Sequence, residues 1–448
     1  MNYVYRTKKD WFHKFRVNIF QDKILNRFDP YVTAPTPFAF DDTYLTNRND
    51  FNYIAEGSIN KNLFFSSTNS FNNFKRTKNT YVKNLSTLES ELVSSESMQD
   101  TTLTNQWMSR SYISYNNEDK IYTFQVGYDF NHEAGRGQRF SGEDDGNASI
   151  TDIAGFASIT IKPSKKIAIN PGIRYSYNSR YATLPTPSLG LKYDITKTLS
   201  YRLSYGMGFR APSLRELYLV FNDSNHNIFG NTDLEAESSH NISTSLDYSK
   251  HVNSHYINFK FTGFYNYKFN AIALAAASVD TFTYLNISNY TSAGFQFDAT
   301  YKHNKWEVNS GVSILGIPNT ESINNPDKND MMFYPQFRAN ITYNIRKHGI
   351  YIALLNRFTG ARDDFRIGSI DDLEQVERIR VQAFHMMDFN ISKSFWKERI
   401  QINAGIRNIL DVTNLDGGLS TGVHSSSSAT IIAMGRTYFV GLKIVTGR

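Results

Sequence analysis

Between residues 209 and 234 lies a small group of residues whose types and spacing could do chemistry. Phe209-Arg210-Ala211-Pro212 closes an alternating segment, and Asn231-Thr232-Asp233-Leu234 leads into the next one. Tyr218, Phe221 and His226 lie between these two boxes. An imidazole is a good iron ligand and aromatic rings stack on planar macrocycles. A solvated loop histidine is the plainer reading of His226, and both stand. His424, in a glycine- and serine-rich stretch near the C-terminus, is a weaker candidate of the same kind. Pro212 has no backbone N–H and restricts the residue before it, so it ends a strand at the root of a loop. Asn231 and Asp233 can bond nearby backbone groups and turn the chain back. Anchoring the loop is the expected role of Phe209, Arg210, Ala211, Pro212, Asn231, Asp233 and Leu234, with direct ligand contact as the alternative.

Other chemistry finds little support. Gly418–Gly422 reads GLSTG, which matches G-x-S-x-G, but it lacks the strand–turn–helix elbow that exposes a nucleophile. There is no Walker loop and no H-E-x-x-H, and residues 135–137 lack the third glycine of a dinucleotide fingerprint. The acidic pairs Asp144-Asp145, Asp363-Asp364 and Asp371-Asp372 match no calcium-loop spacing. With no cysteine, disulfides and thiolate metal sites are excluded. The net charge of +6 comes from lysines and arginines spread singly along the chain, which reads as solvated charge and not as a nucleic-acid footprint. An enzyme is not expected.

The elements that must carry the boxes are strands. In "FRANITYNI", Phe337, Ala339, Ile341, Tyr343 and Ile345 alternate with Arg338, Asn340, Thr342 and Asn344. "YINFKFTGFYNYKF" and "LSYRLSYGMGF" repeat the pattern over similar lengths. Period two over ten or more residues means long strands with one apolar and one polar face. Soluble strands average ~5–6 residues, and long ones rich in terminal aromatics match a membrane barrel. No apolar run approaches the ~18 residues of a membrane helix. Short polar turns such as "PSKK", "KHNK", "RKHG" and "WKER" alternate with long excursions at 28–48, 81–105, 132–151, 209–236, 317–333, 360–382 and 410–435. Such segregation is expected of an outer-membrane barrel, with turns on the periplasmic side and loops outside. The predicted fold is therefore all-β, a transmembrane antiparallel β-barrel of about nineteen strands. Phe337, Ile341, Tyr343, Phe259 and Tyr267 should face outward, and Arg338, Asn340, Lys260 and Lys268 should face the lumen.

"GMGFRAPSLRELY" followed by "GNTDLEAESSHN" resembles the signature of TonB-dependent outer-membrane receptors. "INAGIRNILDVTN" and "GRTYFVGLKI" resemble that family's closing strands, and the likeness spans essentially the whole chain. The resemblance is to receptors of the Bacteroidetes type. It implies a barrel of 22 strands, the size of plugged outer-membrane transporters, of which residues 1–448 would be the partial β-barrel domain. The plug domain and about three strands would then be absent, and "MNYVYRTKKDWFHKF" shows no apolar signal-peptide core.

The resemblance further implies a receptor for TonB-dependent uptake of haem, cobalamin or a ferric siderophore, with that cargo as ligand and no tightly bound cofactor. His226 would be the residue to ligate haem iron, with Tyr218 and Phe221 beside it. Expected partners are outer-membrane lipid, the TonB–ExbB–ExbD complex through the plug region, and a surface lipoprotein. The alternative is a plugless passive pore or an adhesin-like ligand-binding barrel. Thr232 stands where the family's box has proline, so a ring does not fix that turn.

Overall fold

The computed structural model describes residues 1–448 apart from 33–34, 96–97, 117–120, 141–145, 223–226, 277–280, 319–330, 368–375, 397–398, 417–428, 432 and 446–448. Its principal feature is one sheet of 22 strands. Three of the 22 are three-residue loop strands, Ser90–Leu92, Val220–Asn222 and Asn227–Phe229. Removing those three leaves nineteen strands in a continuous antiparallel meander, as the periodicity predicts.

In chain order the meander begins with β1 (Asn2–Arg6), β2 (Phe12–Arg27), β3 (Phe38–Ser58), β4 (Leu63–Asn84) and β5 (Asp100–Tyr115). It continues with β6 (Tyr122–Gly137), β7 (Asn147–Ser164), β8 (Ile167–Asn178), β9 (Thr186–Asp194) and β10 (Leu199–Arg210). Then come β11 (Glu237–Val252), β12 (His255–Ala276), β13 (Thr281–His303), β14 (Trp306–Pro318) and β15 (Met331–Ile345). The last four are β16 (Ile350–Thr359), β17 (Phe384–Phe395), β18 (Ile400–Arg407) and β19 (Thr437–Ile444). Among the described residues β1 pairs only with β2, and β19 only with β18.

Register fixes which face each residue takes, because directly opposite residues point to the same side. One row runs Phe337–Val312–Phe297–Phe261–Leu246–Tyr201–Tyr193 across seven strands. The row one residue further on runs Arg338–Gly311–Asp298–Lys260–Asp247–Ser200–Asp194. The first is apolar and outward, the second polar and lumenal. Arg338 Nη2 reaches Asp298 Oδ1 at 2.6 Å within the polar row. Aromatics gather at the turn end of the outward face, where Trp306 packs on Tyr343 with ring centroids 4.5 Å apart.

Strands run further than the alternation suggested. The ends of the segments 28–48, 81–105 and 132–151, read as loops from sequence, belong to β3, β4, β5, β6 and β7. β13 has 23 residues, or roughly 75 Å at ~3.3 Å per residue. Crossing a bilayer takes only ~9–11 residues of tilted strand, so these strands project beyond it at the loop end.

Candidate functional site

The projecting ends and their loops form the one buried apolar cluster among the described residues. Its centre is a five-residue helix, α1 (Leu214–Tyr218), inside the excursion 209–236. The local cause is a capping box. Ser213 accepts a hydrogen bond from the Glu216 backbone N–H, and the Glu216 carboxylate accepts the Ser213 backbone N–H at 2.7 Å. Leu214, Leu217 and Tyr218 are 1%, 0% and 1% exposed. They pack with Ile150 and Leu234, and around these lie Phe140, Tyr181, Ile272 and Tyr284. Those residues come from the loop ends of β6 to β9, β12 and β13, so α1 ties together loops far apart in sequence. Each fully buried large side chain contributes roughly 1.5–3 kcal/mol.

The two boxes meet at the root of this cluster. Arg210 ends β10 and faces Glu237, the first residue of β11. Its Nε donates to Glu237 Oε2 at 2.6 Å, and its Nη1 donates to Glu216 Oε2 at 2.8 Å. Glu237 also accepts the Ile272 backbone N–H at 2.7 Å, with Lys268 Nζ at 3.7 Å. The guanidinium thus joins a strand end, a helix cap and a third strand. Partial burial pushes the Glu216 carboxyl up, but Arg210 and the two Ser213 donors outweigh it and hold it below the ordinary 4.5.

Asn231 does the turning that its type suggests. Its Nδ2 donates to the Tyr284 carbonyl at 2.9 Å and its Oδ1 accepts the Asp233 N–H at 2.9 Å. Asp233 takes part through its backbone, and its side chain is exposed. Leu234 and Pro212 are buried in the cluster region, and Phe209 lies on the outward face beside Ser238. Ala211 is half-buried at the loop root. Gly230 is required by close approach: a Cβ there would lie 2.5 Å from the Leu217 carbonyl carbon and the Tyr218 nitrogen.

The structure separates the three ligand candidates. Tyr218 is not available to a ligand as placed, because its ring fills the cluster with the Arg180 guanidinium 5.0 Å from its centroid. The reason is helical: i, i+3 and i+4 spacing puts Leu214, Leu217 and Tyr218 on one face. Phe221 is half-buried with the Arg139 guanidinium 4.8 Å above it, and Arg139 pairs with Asp100. His226 and His424 lie outside the described residues, as do Asp144-Asp145, Asp371-Asp372 and the GLSTG segment. Among the described residues no three or more histidine, aspartate or glutamate side chains are grouped to hold a metal ion. Sequence reading missed Ser213, Glu216 and Glu237. The S-x-x-E spacing after Pro212 was the available signal for the first two.

The site is therefore a loop packed on the strand ends and clamped at both roots by one arginine, and its likeness to known proteins follows the same lines. The barrel resembles the siderophore receptor PirA from Acinetobacter baumannii with a TM-score of 0.68 at 12% identity, over 99% of this chain and 76% of that one. It resembles the outer membrane transporter YddB from Escherichia coli with a TM-score of 0.65 at 11% identity, over 99% and 74%. A 70-residue segment, 16% of the chain, is 41% identical to the hemoglobin and hemoglobin-haptoglobin-binding protein C of Haemophilus influenzae. It spans only 6% of that protein's length. The family model described as TonB dependent receptor-like, beta-barrel matches residues 3–409. This chain belongs to the TonB-dependent receptor family of outer-membrane β-barrels.

Proposed function

We propose that the chain forms the barrel of a receptor that takes up a metal-bearing cofactor or chelate (haem, cobalamin or a ferric siderophore) with energy from the TonB–ExbB–ExbD complex. The cargo binds outside, over the loop between Phe209 and Leu234, and His226 is the residue that meets iron or a corrin. The observation carrying this reading is the clamped loop root, in which Arg210 holds Glu216 and Glu237 and α1 is packed against neighbouring loop ends, a foundation that costs little to order on binding. A family whose solved members include siderophore receptors, and a partial relative that binds haemoglobin, support this cargo class. A plug region would make the TonB contact.

The test is the full-length receptor carrying His226→Ala, assayed for haemin binding by the Soret band and for growth on haem as sole iron source. Weaker binding with normal membrane insertion is expected, since one axial ligand is lost and the platform is untouched. An unchanged spectrum and unchanged growth would remove His226 from the site. Loss of cobalamin uptake in place of haem uptake would keep the loop and change the cargo.

A further inference from the structure

Lysines and arginines are spread unevenly over the outward face. In the loop half of the strands that face carries Lys23 and Arg27 on β2, Lys75 and Lys83 on β4, and Arg136 on β6. Among the described strand residues of β10 to β19, the outward rows carry Lys250 and Lys393, both at the turn end. Arg27 stands opposite an acid, Asp41. Lys75, Leu103, Arg136 and Asn147 form one row across β4 to β7 with no acid in it. The row faces outward because Arg136 shares the side of β6 that exposes Val126 and Tyr128. Lys75, Arg136 and Asn147 are exposed, and neither cation has an ion pair among the described residues.

Depth identifies what meets this row. Tyr115, Tyr122 and Phe124 stack at the turn end of β5 and β6 and mark the inner edge of the apolar band. Trp107, 55% exposed and in register with Phe71 and Phe51, lies eight residues along β5 from Tyr115. On a strand tilted by ~40° that is about 20 Å of height, the outer aromatic level of a band ~25 Å tall. Arg136 lies twelve residues along β6 from Phe124, about 30 Å by the same rise. The row from Lys75 to Asn147 therefore stands just above the hydrocarbon, at the height of the outer-leaflet headgroups. Beside Arg136 is a groove of about 510 Å³, lined also by Asn105, Ala134, Asn147, Ser149 and Arg180. The Arg180 guanidinium lies over buried Tyr218, so the groove adjoins the loop cluster.

We propose that this row and groove bind the phosphorylated headgroup of an outer-leaflet glycolipid. An outward cation at headgroup height meets lipid, and the anion within its reach there is a headgroup phosphate. Arginine's planar fork matches phosphate oxygens bidentately, and lysine adds a compact charge. Lys75 and Arg136 are two strands apart, or ~10 Å, so one headgroup reaches both. Asn147 and Ser149 are exposed beside them and offer an amide and a hydroxyl to sugar hydroxyls. The site belongs to one sector of the wall. In their loop halves β15 and β16 present Phe333 and Phe358 to lipid, with no cation on those rows.

The intact receptor, delipidated in detergent, is titrated with an acylated glucosamine disaccharide bisphosphate, and bound lipid is counted by native mass spectrometry. The same lipid stripped of its phosphates, phosphatidylglycerol and inorganic phosphate are the comparison probes. The bisphosphate should bind more tightly than either comparison lipid by about tenfold or more. Lys75→Ala with Arg136→Ala should weaken it by a similar factor, and Lys75→Arg with Arg136→Lys should retain most of the affinity. Lys250→Ala with Lys393→Ala, at the turn end, should leave it unchanged. Heat-modifiable gel migration shows that each variant is folded, and Arg136→Gln replaces the double alanine variant if the latter is not. Equal affinity for the phosphate-free lipid or for phosphatidylglycerol would overturn the proposal, as would inorganic phosphate that blocks the lipid at equal concentration. So would unchanged binding after Lys75 and Arg136 are truncated, or an equal loss in the turn-end pair.

Discussion

Arg210 and Glu237 face each other across the ladder between β10 and β11, with Nε 2.6 Å from Oε2, and the whole excursion 211–236 leaves and returns between them. Glu237 is only 7% exposed at its side chain. Arg210→Ala would leave that carboxylate with Lys268 at 3.7 Å as its remaining cation. Removing one partner of a nearly buried charged hydrogen bond costs about 1–3 kcal/mol. The expected result is faster tryptic cleavage after Arg215 with barrel insertion retained. Equal cleavage rates would show that the clamp does not hold the loop.

Acid should loosen the same loop. The Glu216 carboxyl is held below its unfolded value of 4.5 in the folded protein. A lowered folded value means stability that is fully present above 4.5 and lost as pH falls through the folded value. Hydrogen exchange of α1 amides, corrected for intrinsic rates, should therefore accelerate as pH falls below 4.5. Glu216→Gln should flatten that dependence, and an equally steep profile in the variant would assign the effect elsewhere.

Gly230→Ala should disturb the platform without touching the wall. Its Cβ would meet backbone atoms of Leu217 and Tyr218, which cannot rotate away. The expected outcome is lower ligand affinity and faster loop proteolysis, with unchanged heat-modifiable migration. Normal affinity and normal proteolysis together would mean that the loop rests on α1 more loosely than the close approach implies.

Leu217→Ala removes a fully buried side chain from the centre of the cluster. Such a truncation costs about 2–5 kcal/mol. Thermal scanning of the purified barrel should show loss of the loop transition at lower temperature while the strand transition stays in place. A single, unshifted transition would count against a separately melting cluster.

The register itself can be tested at two adjacent residues. Phe297 is in the outward apolar row and Gln296 points to the lumen, where its Nε2 donates to Asp298. Arginine on the lipid face at mid-depth costs about 2–4 kcal/mol. Phe297→Arg should insert poorly and Gln296→Arg normally, as read by the folded fraction on unheated gels. The reverse order would turn the wall inside out.

Much of this was fixed by local pattern. Alternation in 337–345 and, with a break at Gly263-Phe264, in 257–269 decided the strands and their faces, because a period of two admits only one set of outward residues. Pro212 and Asn231 marked the loop roots through backbone chemistry that needs no tertiary contact. What alternation could not show was where strands stop, since polar residues in β3 and β4 keep pairing beyond the membrane. It also could not show what happens to Tyr218: its type suggests stacking on a ligand, but helical spacing and four converging loop ends bury it. Glu237 has no distinguishing local signal, and only the ladder sets it opposite Arg210. The sequence by itself determined the barrel, its turns and the position of the loop, because those follow from periodicity and φ restrictions along the chain. The clamp and the buried cluster depend on which strands lie side by side, and only the tertiary structure decided that.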